Sequence, residues 1–195
     1  MTDAIEFDES GQPPPPSPLA LALRQKIGWL CQIIRGMGVI WALWLLYAIV
    51  KFWGDPAKVS AVYGKSFNFD PTTIEASHYY GAYGLHIAAW ALAAWVAAAL
   101  WRLFSRYLAG EIFTVPAALG LRHLGLVGAG AEAFDLLQRP IVFALMTAGH
   151  DVGGRSGWFF HPGDLLNIIF VTFLFSLAYI FKTAAELADE HAQIV

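Results

Sequence analysis

Charge is scarce in this chain, and cysteine nearly absent. Only 14% of its 195 residues are charged, against about 25% in an ordinary soluble domain. The net charge of −3 provides no basic footprint for direct binding of nucleic acid. A lone cysteine, Cys31, can form neither an internal disulfide nor a CxxC pair. That excludes quinone-coupled thiol chemistry and leaves Cys31 as a small apolar filler. No histidine pair has HxxxH spacing, and no nucleotide loop, nucleophile elbow or zinc-protease motif occurs. His86 and His123 fall at opposite ends of the expected helices, so they are not axial partners for one haem. His78, His150, His161 and Asp151 fall in loops and are read as surface residues. No cofactor, metal or catalytic constellation is expected, and the chain is read as non-enzymatic.

What the chain has is apolar length. Hydrophobic residues make up 57% of it, gathered in blocks that approach the ~20 helical residues needed to cross a bilayer. The expected fold is all-α: a polytopic membrane protein, a bundle of four transmembrane helices at about 30–53, 83–104, 119–147 and 165–184, behind a disordered tail. That tail, 1–20, carries Asp3, Glu6, Asp8 and Glu9, no basic residue, and the prolines 13–16 and 18. It cannot bury enough apolar surface to offset its ordering entropy, and it lacks the basic start of a signal peptide. The four-span domain fills 21–195.

Local punctuation places the elements between the spans. The segment 54–82 reads as a polar loop, with Gly54-Asp55-Pro56, Asp70-Pro71 and a Thr72/Glu75 capping box at the start of the next helix. Gly110 reads as a helix stop, and Thr114-Val115-Pro116 as a restart. Asp164 reads as the N-cap of the last helix. Pro140 should kink the third span. In the second span, Ala89, Ala93 and Ala97 form a small face for close packing.

The third span is the unusual one. Arg122, Gly125, Ala129, Glu132, Leu136 and Arg139 recur at steps of three and four, with Gly128 and Asp135 beside them. This small, polar face is expected to look into the bundle. The face with Leu124, Val127, Phe134 and Leu137 is expected to meet lipid or neighbouring helices. A charged side chain at mid-bilayer costs about 2.5–3.5 kcal/mol on insertion scales. Asp135 and Arg139 can pair within the helix, which leaves Glu132 needing a proton or a partner from another helix. Two readings stand side by side: a proton, ion or ligand path, and a polar network that fixes helix assembly.

Gly110-Glu111-Ile112-Phe113-Thr114 followed by Leu121-Arg122-His123-Leu124-Gly125 resembles the signature of a bacterial membrane family catalogued as domain of unknown function 2975. The ending, from Ala185 through Glu186, Asp189 and Glu190 to Ile194-Val195, resembles that family's acidic last helix. The likeness covers about 25–195 and excludes the tail; the Glu132, Asp135 and Arg139 trio is not part of it. The resemblance implies an inner-membrane protein encoded beside a small helix-turn-helix regulator. The turn residues Gly110, Glu111, Phe113, Arg122 and Gly125 and the acids Glu186, Asp189 and Glu190 would then form a cytoplasmic docking face. The expected function is therefore regulatory, through such a partner. The alternative is a small proton-coupled carrier using the intramembrane charges, which with four spans requires a homo-oligomer. Arg24, Lys26, Arg35, Arg102, Arg106, Arg122 and Lys182 gather on one side, so both termini are expected in the cytoplasm.

Overall fold

The computed structural model describes residues 18–67, 74–111, 114–151, 153 and 160–192, with side chains within 28–66, 74–151 and 160–187. The tail through residue 17, Asp70-Pro71, Thr72 and Phe113 lie outside the described residues. Five helices and no strand occur among those described: α1 (Pro18–Trp53), α2 (Pro56–Phe67), α3 (Ala76–Ala109), α4 (Val115–Met146) and α5 (Pro162–Ala192). Three are long and apolar enough to cross a membrane: Gly28–Trp53 of α1, the whole of α3, and Pro162–Leu187 of α5. They mark an all-helical, multi-pass membrane protein. The apolar side chains exposed along α1 and α5, among them Ile40, Trp44, Phe170 and Tyr179, are those a bilayer would cover.

The four long helices pack in the order α1, α3, α4, α5, each principally against its neighbours in that row. Two apolar clusters hold the ends. Near the α3–α4 turn, Ala99 and Leu103 of α3 meet Leu121 and Leu124 of α4 and Leu174 and Ala178 of α5. At the other end, Trp53 and Val59 meet Tyr79, Ala82, Val142 and Met146. Leu124 is thus core, whereas Leu137, also assigned to the apolar face, is exposed.

α2 corrects the expectation of a polar loop over 54–82. Its start has a clear signature: the Asp55 carboxylate accepts from the Lys58 N–H at 3.1 Å, and Pro56 occupies the first helical position. Val59 and Tyr63, one turn apart, turn inward, while Lys58 and Lys65 stay exposed. α3 also differs from expectation. Glu75 occupies the N-cap position and makes no side-chain cap bond, so it is not the third helical residue of a Thr72 capping box.

The α3–α4 turn forms as its residues dictate. Gly110 has φ 94°, a conformation glycine adopts without the Cβ penalty. Its N–H donates to the Tyr107 carbonyl, and the Glu111 N–H to the Arg106 carbonyl, both at 3.1 Å. This pair of bonds is the Schellman closure. Thr114 Oγ1 then caps α4 by accepting from the Ala117 N–H at 3.3 Å. Arg106 donates across the turn to the Pro116 carbonyl. α4 continues through Pro140 to Met146.

Candidate functional site

The polar face of α4 meets α5 in an antiparallel register that advances one turn at a time. Near the turn end, a Cβ on Gly125 would lie 3.4 Å from the Phe175 ring, and one on Gly128 3.6 Å from Val171. Glycine lets the two backbones approach here. One turn on, Glu132 Oε2 accepts from Asn167 Nδ2 at 2.9 Å. A further turn brings Asp135 and Arg139 opposite Asp164.

Arg139 is the hub. Its Nε donates to Asp135 Oδ2 at 3.0 Å, and its Nη2 also reaches that carboxylate. Toward α5, Nη1 donates to Asp164 Oδ2 at 2.7 Å and Nη2 to Asp164 Oδ1 at 2.8 Å. The planar guanidinium fork suits this two-pronged grip. Asp164 Oδ2 also accepts from the His161 N–H at 2.6 Å. With Pro162 opening α5, Asp164 is its third residue and reaches back to the residue before the helix, the reciprocal half of a capping box. This corrects the N-cap assignment. The Asp164 side chain is only 5% exposed, against 40% for Asp135.

Glu132, Asp135 and Arg139 are therefore brought together as expected, and Asp164, Asn167 and Gln138 join them. Gln138 Nε2 donates to Asp135 Oδ1 at 2.8 Å. Glu132 Oε1 and Gln138 Oε1 are buried and accept no hydrogen bond among the described residues. A cleft of about 310 Å³ adjoins the network, lined in part by Tyr63, His86, Asp135, Gln138, Arg139 and His161. Tyr63 stands outside the long apolar helices, and burial pushes its phenol above the ordinary range. Three carboxylates against one guanidinium give the network an excess of negative charge.

The other expected residues are dispersed. Gly110 and Glu111 close the turn, with Glu111 exposed. Arg122 is exposed one turn before buried Gly125. Glu186 pairs with Lys182 at 3.4 Å on the exposed side of α5. Asp189 and Glu190 continue the same helix, with side chains outside the described residues. His86 and His123 sit in different surroundings, His86 5.0 Å from Trp53 and His123 6.5 Å from Trp95 between ring centroids. Among the described residues, no group of three or more His, Cys, Asp or Glu is placed to hold a metal ion.

The helix pattern and the polar seam define the class: a multi-pass membrane protein with a charged network between its last two helices. Comparison with known proteins adds nothing to that class, since no family model, curated protein or solved structure matches the chain.

Proposed function

We propose that this is a four-span, non-enzymatic protein of the bacterial inner membrane that acts as a regulator through a cytoplasmic partner. The observation that carries the reading is the continuity of α5. One helix of 31 residues, about 46 Å long, holds Asp164 and Asn167 of the seam at one end. It carries Glu186, Asp189 and Glu190 toward the other. Any change that loosens Arg139 from Asp164 would move that rod against α4 and shift its acidic end. Two packed arrangements of one helix pair are what a switch requires.

Several features support α4 as the fourth span. It has 32 residues, it lies between α3 and α5, and its Glu132 and Arg139 bond to Asn167 and Asp164 of α5 rather than facing lipid unpaired. The basic residues gathered at the α3–α4 turn support a cytoplasmic position for that end and for both termini. The likeness to the family catalogued as domain of unknown function 2975 favours a small helix-turn-helix regulator as partner, with a basic surface complementary to the acidic end of α5. Truncation after Lys182 tests this: it should alter transcription of a neighbouring operon while the protein still inserts. Unchanged transcription at normal membrane abundance would sink the docking idea.

Glu132 Oε1 and Gln138 Oε1, buried and without a hydrogen bond among the described residues, with Gln138 lining the cleft, favour one second reading: an oligomeric, proton-coupled carrier. Under it, Glu132→Gln abolishes flux into proteoliposomes without lowering abundance. Lower abundance instead assigns Glu132 to assembly.

A further inference from the structure

We propose that the α3–α4–α5 face at the turn end is a binding site for an anionic phospholipid. Two grooves open there on either side of Leu119, which is half exposed and lines both. The groove toward α5, about 300 Å³, has Arg122 and Lys182 beside Phe175 and Tyr179. The groove toward α3, about 230 Å³, has Arg102, Arg106 and His123 beside Leu103. On α4, residues 118 and 122 face the first groove and 120 and 123 the second, with 119 between them at the helical angle. The grooves are therefore neighbours on one face, divided by a single apolar ridge.

The chemistry of this face matches one class of ligand. Arg102, Arg122 and Lys182 are exposed cations, and the exposed side chains among them include the apolar Leu119 and Tyr179. Among the described side chains, the nearby carboxylates are Glu186, which pairs with Lys182 at 3.4 Å, and Glu111 on the turn. Arg35 stacks over the Trp101 ring at 3.7 Å, an aromatic–cation pairing suited to the headgroup level of a bilayer. Basic pockets between spanning helices at that depth recognise phosphate headgroups. A phosphate would meet the cations while the acyl chains follow the apolar grooves on either side of Leu119. A soluble anion would use the cations but leave both grooves uncovered.

The test is native mass spectrometry of the full chain released from nanodiscs of phosphatidylcholine mixed with phosphatidylglycerol. Retention of phosphatidylglycerol over phosphatidylcholine is expected. Arg102→Gln, Arg122→Gln and Lys182→Gln together should lower that retention about 100-fold, about five-fold for each cation removed. Arg106 is left in place because it holds the Pro116 carbonyl. Lys51→Gln, Lys58→Gln and Lys65→Gln, which remove the same charge from the opposite end, should leave retention unchanged. Leu119→Glu keeps every cation and should still expel the lipid. Equal retention of the two lipids, equal loss from both triple variants, or displacement by inorganic phosphate would overturn the proposal.

Discussion

The seam between α1 and α3 and the seam between α4 and α5 are both antiparallel helix pairs, yet different chemistry joins them. In the first, aromatic donors reach backbone carbonyls: Trp90 Nε1 donates to the Ala42 carbonyl at 3.0 Å, and the Tyr79 hydroxyl to that of Trp53. Glycine does the rest, with Gly38 positioned so that a Cβ would meet Leu100 at 3.3 Å. In the second, charged and amide side chains bind one another across the gap. Lipid tails are as apolar as leucine, so apolar contact alone gives helices in a bilayer little reason to associate. The first seam rests on shape and small bonds; the second adds a directional, charge-assisted lock at one end. The contrast implies that the first seam yields gradually to substitution while the second fails at a single residue.

Arg139→Ala makes the strongest test of that contrast. It leaves Asp135 and the nearly buried Asp164 without their counter-charge, and removing one partner of a buried ion pair costs about 3–5 kcal/mol. Thermal unfolding in detergent should show the loss, and membrane abundance should fall with it. Arg139→Lys should restore little, because an ammonium cannot grip both carboxylates as the fork does. Near-complete recovery by lysine would mean that charge alone, and not geometry, holds the seam.

Gly125→Leu comes next. The added side chain meets the Phe175 ring from a Cβ already at 3.4 Å, and overpacking costs about 1–3 kcal/mol. Because Asp164 and Arg139 lie far along the register, the lock should survive. The double variant with Arg139→Ala should then be additive within about 0.5 kcal/mol. Strong coupling between the two would show that the glycine end and the charged end fail together rather than independently.

Much of this arrangement was legible in the chain, and the misses have physical causes. The three-and-four spacing on α4 puts Glu132 and Arg139 on one face with Asp135 beside it, because helical periodicity is local. It could not reveal Asp164, which lies 25 residues from Arg139 and whose capping chemistry already accounted for a carboxylate there. Asn167 was hidden for the same reason: one amide in an apolar span shows no periodic pattern. α2 was lost differently. Asp55-Pro56 is a sound helix start, but twelve residues with a narrow apolar face looked polar beside the long spans. Gly110 was readable as a helix stop because its left-handed conformation is a property of the residue itself.

That turn supplies a smaller test. Gly110→Ala forces an L side chain to φ 94° and should cost about 1 kcal/mol. The effect should appear as earlier proteolysis at the α3–α4 turn, with both seams intact. If α4–α5 contacts loosen as well, the turn is part of the lock rather than a passive connection.

The smallest expected effect belongs to the first seam, and it decides whether the contrast between seams is real. Trp90→Phe removes the indole N–H that reaches the Ala42 carbonyl but keeps an aromatic ring in place. Interhelical side-chain bonds in membranes average about 0.6 kcal/mol. The Ala42 carbonyl keeps its place in the α1 hydrogen-bond ladder, so no polar group is stranded. The variant should therefore unfold close to the parent, several-fold less perturbed than Arg139→Ala. A loss as large as that of Arg139→Ala would place a second lock between α1 and α3, and the proposed regulatory motion would then have to involve the whole row of helices rather than α5 alone.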